Sequence, residues 1–308
     1  MDGAGAGPRG AERPARAWRF AHASVLGSSH LKSGTPCQDA SACELVSSAG
    51  ASALVAVVSD GAGSAPLSQV GARTACEVVL DETRAALAHG TGLAALDRGF
   101  ALGVLERLQV RLARLARHAE RPLRDFACTL LFAVLDEHGA VFAQVGDGAI
   151  VVAPDVRASD PGLGYGWVFW PQQGEYLNQT RFATETRAHE NLQFESWNRP
   201  VEELALFSDG LQGLVLDGRR RVAHGRFFEP MFVAVRWAGP GRSEALSRSL
   251  ERFLASRTVE SRTDDDKSLV LASRRTPEPR PVAPLTPSRP HAALAALPQE
   301  LRAENEHE

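Results

Sequence analysis

Apolar residues along this chain keep changing period, and the changes mark out its elements. Residues 53–59 (ALVAVVS) form an unbroken apolar, β-branched run, the pattern of a buried strand. Over 67–88 the apolar positions step through Leu67, Val70, Thr74 and Val78, which predicts a helix packed along one side. A second helical pattern runs through Leu96, Phe100, Val104, Leu108, Leu112 and Leu115. The segment CTLLFAVLDEHGAVFAQVGDGAIVVA reads as a three-stranded meander, with His138-Gly139 and Asp147-Gly148 as its turns. Further strands are predicted at 166–170, 177–182, 203–208 and 268–272, and helices at 227–237 and 242–256. Strands come in consecutive runs and helices in pairs, without the alternation that a doubly wound parallel sheet needs. The order predicts an antiparallel α+β sandwich.

The two ends fall outside this periodicity. Residues 1–16 are rich in Gly, Ala, Pro and Arg and read as a disordered segment. Residues 276–308 hold seven of the 18 prolines and read as a disordered, extended tail. One domain is expected between them, over 17–275. Composition then removes several function classes. With 34 Lys+Arg against 37 Asp+Glu the net charge is -3, which gives no global reason to bind nucleic acid or an anionic membrane. Arginines within RLQVRLARLARHAERPLR fit the solvated face of an amphipathic helix better than a nucleic-acid stripe. No apolar run is long enough to span a bilayer, and the N-terminus lacks the apolar stretch of a secretory signal. Cys37, Cys43, Cys76 and Cys128 show no metal or disulfide spacing and read as thiols of a reducing compartment. A cytoplasmic monomer is expected.

Acidic residues stand at the ends of the apolar runs. Asp60 closes VAVVSDG, Asp209 closes LALFSDG, and Asp147 sits within AQVGDGAIV. Asp264, Asp265 and Asp266 immediately precede SLVLA, and Asp39 follows GSSHLKSGTPCQ. A strand ending in Asp-Gly delivers a carboxylate to the rim of its sheet, while the glycine lets backbone come close. Asp-Gly is also a common turn dipeptide, so any single instance is weak evidence. If several converge on one rim, their mutual repulsion calls for a cation, and hard oxygen ligands suit Mg²⁺ or Mn²⁺.

The order of these motifs resembles the metal-dependent PPM (type 2C) serine/threonine phosphatases, particularly their divergent bacterial branch. The matching segments are Gln38-Asp39-Ala40, Val57 to Ser64, Gly146-Asp147-Gly148, Phe207 to Gly210 and Asp264 to Ser268. They span about 20–273 in the family's order. The resemblance implies two stacked antiparallel sheets with helix pairs outside. It also implies two Mg²⁺ or Mn²⁺ ions between the sheets, with a place for a weaker third. By position, Asp60 resembles the carboxylate that bridges both ions, with the carbonyl of Gly61 as a further ligand. Asp209 and Asp265 resemble ligands of one ion, with Asp264 and Asp266 as alternatives to Asp265. Asp39 reaches the site from the first strand, and Asp147 with Asp209 resembles the pair for the third ion. A water shared by the two ions would then hydrolyse phosphoserine or phosphothreonine in proteins, with no protein nucleophile. Phosphorylated proteins, supplied by a partner Ser/Thr kinase, would be the substrates.

The chain also departs from the better-known members. Gln38 stands where they carry Glu, Ala62 follows Asp-Gly where eukaryotic members often carry His, and their phosphate-binding Arg has no counterpart. Lys32 is the favoured local cation for the phosphate, ahead of His30. Lys267 is read as pairing with the Asp triplet, and Ser64 and Ser68 as caps of the helix near 67. Trp167, Phe169 and Trp170 are read as core. Two readings compete with a protein phosphatase: a catalytically weak regulatory or binding module on the same fold, and a hydrolase of a small phosphorylated metabolite.

Overall fold

Strands that are apolar without alternation need cover on both faces, and the computed structural model supplies it in four layers. It describes residues 16–48, 51–88, 92–154, 164–171 and 180–277. In chain order the first elements are β1 (Arg19–Val25), α1 (Ser28–Ser33), β2 (Ala40–Ser48), β3 (Ala51–Ser59), α2 (Ser68–Ala88) and α3 (Arg98–His118). Next come β4 (Leu130–Leu135), β5 (Ala140–Val145), β6 (Ala149–Pro154), β7 (Gly166–Trp167), α4 (Ala188–Asn191), β8 (Gln193–Trp197) and β9 (Val201–Phe207). The remainder are α5 (Gln212–Val215), β10 (Leu216–Asp217), β11 (Val222–Ala223), α6 (Gly225–Arg236), β12 (Gly241–Arg242), α7 (Glu244–Leu254), α8 (Arg257–Glu260) and β13 (Lys267–Ser273).

One sheet has the order β12-β1-β13-β9-β6-β7 and the other β2-β3-β4-β5-β8. Every pairing in them is antiparallel except the short β1–β12 contact. The two faces of each central strand do different work. In β3, Ala53, Val55 and Val57 pack under α2 and α3, while Leu54, Ala56 and Val58 meet the opposite sheet. In β9, Leu204 and Leu206 face that same inter-sheet core, and Ala205 and Phe207 pack with α6 and α7. Emptying such a position is costly: Phe132, fully buried in β4, would lose about 3–5 kcal/mol on truncation to Ala.

The expected sandwich of antiparallel sheets with helix pairs outside is therefore present, with one change in its wiring. Leu130–Val145 and Leu135–Ala140 pair β4 with β5, but β6 pairs with β9 and β7 in the other sheet. The 128–153 segment is thus not a meander, and Gly146-Asp147-Gly148 is a crossing between sheets rather than a hairpin. Gly146 sits at φ +123°, and a Cβ there would stand 2.6 Å from Thr129 Cγ2, so the crossing requires glycine. The Gln144 amide secures it by donating to the carbonyls of Gly146 at 2.9 Å and Gly148 at 2.8 Å. Hydropathy carried no sign of the switch because β5 and β6 are buried on both faces.

Other expectations change in detail. Of 166–170 only Gly166–Trp167 is strand, while Phe169 is buried in the inter-sheet core. Residues 180–182 are not strand, and 177–179 lie outside the described residues. β1, α1, β2 and β8 were not anticipated. Ser68 does not cap α2: its hydroxyl is buried without a hydrogen-bond partner among the described residues. The arginine-rich pattern is α3, whose Leu105, Leu108 and Leu112 are buried. Its Arg107 and Arg111 pair with Glu82 and Glu77 of α2 at 2.7 and 2.5 Å. The expectations for 1–15 and 278–308 lie outside the described residues. Arg16 pairs with Glu202 at 2.5 Å and so belongs to the folded body. Among the described residues no helix is long and apolar enough to cross a membrane.

Candidate metal centre

Strand register brings the acids together. Ala40 of β2 pairs with Ser59 of β3, so the next step outward sets Asp39 against Asp60. In the other sheet Ala149 of β6 pairs with Phe207 of β9, and two further steps set Asp147 against Asp209. Stacking the sheets then brings the two pairs face to face. One carboxylate oxygen from each of Asp60, Asp147 and Asp209 lies within 4.8 Å of the others, and all three residues are partly exposed. Asp39 is more deeply buried and adds its charge to that of Asp60.

The local backbone is held by hydroxyls and amides on the neighbouring chain. Asp60 N–H donates to Thr129 Oγ1 at 2.8 Å, and Thr129 N–H returns to the Asp60 carbonyl at 2.7 Å. The Ser208 hydroxyl donates to Asp39 Oδ2 at 2.7 Å, and the Thr180 hydroxyl donates to Asp147 Oδ2 at 2.5 Å. The Gln212 amide donates to the Asp147 carbonyl. Gly61 is where backbone comes closest: a Cβ there would stand 2.7 Å from both the Gln38 carbonyl and Ser68 Cβ. Sequence reasoning missed Thr129, Thr180 and Gln212, which lie outside the acidic motifs. Ser208 was inside one, but nothing in its pattern said that it would serve Asp39.

Electrostatically the site is unsatisfied. Asp39 Oδ1, Asp147 Oδ1 and Asp209 Oδ1 are buried with no hydrogen-bond partner among the described residues. No lysine or arginine among the described residues forms an ion pair with Asp39, Asp60, Asp147 or Asp209, whereas such pairs are common elsewhere in the molecule. Burial, with the charges of Asp39, Asp209 and Asp147 beside it, holds Asp60 well above the usual carboxylate range. Burial pushes Asp39 up to about 7, reinforced by Asp266 and Asp209 against the pull of the Ser208 hydrogen bond. Asp147 is pushed up to about 6, by burial first and then by Asp209. Orphaned carboxylate oxygens of this kind fit a hard cation, and the cluster can hold a metal ion.

The Asp triplet divides its labour. The Asp264 carbonyl accepts from Ser29 N–H at 2.9 Å and from its hydroxyl at 2.7 Å, which docks α1. Asp266 is buried and fully engaged, accepting from Gly27 N–H at 2.6 Å, Gln38 N–H at 2.6 Å and His30 Nδ1 at 2.9 Å. Asp265 is exposed at the surface, and partial burial of its carboxylate together with the charge of Asp209 raises it. Lys267 is fully buried, and its ammonium donates to the Asp265 carbonyl at 3.0 Å rather than to a carboxylate of the triplet. The Gln38 amide donates to the Ala65 carbonyl at 3.2 Å, bracing the loop that follows Gly61, and its Oε1 is buried without a partner among the described residues. Lys32 lies in the last turn of α1, exposed and without an ion pair among the described residues. It is two positions from His30, about 200° round the helix.

Groups that could attack phosphorus directly are withdrawn. Burial pushes the Cys37 thiol up to about 12, helped by Asp266 and Asp39. Cys128 is raised to about 12 by burial. Ser59 and Ser208, the neighbours of Asp60 and Asp209, spend their hydroxyl protons on the Thr129 carbonyl at 2.6 Å and on Asp39.

A four-layer α+β sandwich whose sheets meet at a carboxylate cluster defines a site that can hold a metal ion. The model of the protein phosphatase 2C family matches residues 26–255. Serine/threonine-protein phosphatase 3 of Escherichia coli strain K12 is 34% identical over 258 residues, covering 83% of this chain and 98% of that protein. The chain belongs to the protein phosphatase 2C family. Solved structures share the fold at lower identity. PppA of Pseudomonas aeruginosa, a regulatory component of the T6SS, aligns with TM-score 0.51 and 18% identity, over 84% of this chain and 98% of its own. Serine/threonine phosphatase Stp1 of Staphylococcus aureus aligns with TM-score 0.53 and 14% identity, over 82% of this chain and 94% of its own.

Proposed function

We propose that the domain over 17–275 hydrolyses phosphoserine and phosphothreonine in proteins, with water as nucleophile and divalent cations held by the carboxylate cluster. The observation that carries this reading is the set of buried carboxylate oxygens, on Asp39, Asp147 and Asp209, that converge on Asp60 with neither a donor nor a cation among the described residues. Asp60 and the Gly61 carbonyl would hold the divalent cations, Mg²⁺ or Mn²⁺. Asp39, Asp209 and Asp265 would complete the ligand set, and Asp147 with Asp209 would hold a weaker third cation. When bound, such ions supply charge neutralisation for the phosphoryl oxygens and a water acidic enough to act near neutral pH. The protein's own part is to hold the carboxylates in register and to keep thiols and serine hydroxyls out of the reaction.

The alternative of a catalytically weak module rests on Gln38 and Ala62. Gln38 is built into the site through Ala65, and Ala62 packs with Ala65, Ala127 and Phe182 rather than leaving a gap. Neither speaks against turnover. Phosphorylated proteins are the substrates and a Ser/Thr kinase is the opposing activity, in a cytoplasmic monomer. The relative from Escherichia coli, named for its action on serine and threonine, supports this substrate class.

The test is hydrolysis of p-nitrophenyl phosphate and a phosphothreonine peptide with Mn²⁺, Mg²⁺ or EDTA, wild type beside Asp60→Asn. Turnover should need both metal and Asp60, with the peptide preferred. Activity that persists in EDTA overturns the cation reading. Failure to turn over the peptide while p-nitrophenyl phosphate is hydrolysed overturns the protein-substrate reading.

A further inference from the structure

One imidazole is bonded into the loop that presents Asp265. His30, in α1, is 14% exposed at its side chain, and its Nδ1 lies 2.9 Å from Asp266 Oδ2. Asp266 accepts Gly27 N–H on Oδ1 and Gln38 N–H on Oδ2, so its hydrogen bonds come from backbone donors that cannot reverse. The carboxylate is thereby fixed as an acceptor, and Nδ1 must be the donor to it. The other ring nitrogen, Nε2, has no partner among the described residues. It lies 4.0 Å from where a Cβ on Gly63 would stand, over the loop that follows Asp60 and Gly61. The ring is anchored through Nδ1 by a 3% exposed carboxylate, which leaves Nε2 beside the loop that runs on from Asp60. α1 is itself docked through Ser29 onto Asp264, so the imidazole is carried by the same 264–266 loop that presents Asp265.

We propose that His30 is a catalytic residue that protonates the leaving oxygen of the phosphate ester, and that Asp266 is its positioning residue. This rests on the phosphomonoester reading above. As the water oxygen bonds to phosphorus, the ester P–O bond breaks and its electron pair passes to the seryl or threonyl oxygen. That oxygen takes the Nε2 proton and departs as the alcohol, and the ring recovers a proton released by the attacking water. Serine and threonine alkoxides are poor leaving groups and need this proton. p-Nitrophenolate leaves readily without it, so the role shows as a dependence on leaving group. A general acid of this kind contributes about 10²–10⁴-fold.

The experiment compares wild type, His30→Ala and His30→Gln of the full chain in Mn²⁺, on a phosphothreonine peptide and on p-nitrophenyl phosphate. Loss of kcat on the peptide should be about 100-fold in both variants, against only a few-fold on p-nitrophenyl phosphate. Thermal unfolding midpoints should stay near wild type, and His30→Gln guards against a packing defect in His30→Ala. Asp266→Asn should show a smaller peptide loss with the same selectivity between leaving groups, a pattern that simple loosening of the loop would not produce. Equal losses on the two substrates, or no loss on the peptide, overturn the assignment. If wild type hydrolyses neither substrate, it is the phosphomonoester reading that fails, so the two failures are told apart.

Discussion

β9 carries buried carboxylates at both ends, and the two ends are treated in opposite ways. At its start Glu203 is fully buried and held by Arg236 through two parallel bonds, Nε to Oε1 at 2.6 Å and Nη2 to Oε2 at 2.7 Å. Ser273 Oγ donates to the same carboxylate at 3.0 Å, and Arg275 lies 3.5 Å away. Next to it, Glu202 pairs with Arg16. Just past the other end, Asp209 meets Asp60 and Asp147 with no basic side chain paired to them among the described residues, and one oxygen of each of Asp147 and Asp209 has no partner there. A chain that neutralises Glu202 and Glu203 with arginine has left the second cluster to something from outside. Both ends cost desolvation, but only one is complete without a ligand.

Removing the cluster breaks the comparison at the functional end and carries the largest expected effect. Asp60→Asn and Asp209→Asn should each lower kcat/KM by about 10³-fold or more, since several kcal/mol of charge stabilisation depend on the ligand set. Unlike a core defect, these changes relieve repulsion, so the metal-free variants should unfold at the same temperature as wild type or higher. Calorimetric titration with Mn²⁺ should show weakened binding. Full activity in both variants would remove the cluster from the reaction.

The opposite result is expected at the structural end. Arg236→Met leaves buried Glu203 with Ser273 and the more distant Arg275, and should cost about 3–5 kcal/mol of stability in a urea unfolding curve. Residual folded protein should keep its metal affinity and its kcat. A loss of metal binding in proportion to stability would mean that the two ends of β9 are not independent.

Solution pH should separate the ends again. Asp39, near 7, and Asp147, near 6, titrate above the ordinary 3.8. Groups raised in the folded state bind more protons folded than unfolded. Their contribution is therefore fully present below the unfolded value and is lost as pH rises through about 6–7. Metal-free protein should lose several kcal/mol of stability between about pH 4 and 7, because each tenfold gain in proton affinity on folding is worth about 1.4 kcal/mol. Saturating Mn²⁺ should abolish the fall, because ligation takes over the neutralising role of the protons. A flat metal-free profile would show that the carboxylates are not close enough to repel one another.

Much of this contrast was legible in the sequence, and the reason lies in strand ends. Asp60 and Asp209 were visible because each closes an apolar run, and Asp147 because it stands between two; Asp39 follows a polar segment and was placed by the family resemblance. The helices α2, α3, α6 and α7 announced themselves through long amphipathic patterns. The sheet switch at Gly146 was not legible, because β5 and β6 are buried on both faces and hydropathy does not say which sheet a strand joins. α1 was hidden for another reason: six residues are too few to set a period. With it went the orientation of His30 and Lys32, which are neighbours in sequence and point to different sides of the helix. The role of Asp266 was equally hidden, since three consecutive aspartates look alike until backbone donors from Gly27 and Gln38 select one.

The smallest expected effect concerns Lys32, the exposed cation of α1. Lys32 is exposed, so its field at the cluster is screened over about 8 Å at physiological ionic strength. A solvated charge of this kind contributes less than about 1 kcal/mol. Lys32→Ala should raise KM for a phosphothreonine peptide by about two-fold without changing kcat, and added salt should erase the difference. The response to salt matters as much as the size of the change. A flexible ammonium that only attracts substrate acts on encounter and is masked by salt, whereas one that grips the phosphoryl group is desolvated with it and is not. A ten-fold rise that survives high salt would place Lys32 on the phosphate after all. The functional end of β9 would then have a cation of its own, and its contrast with the Arg236 end would be narrower than the structure indicates.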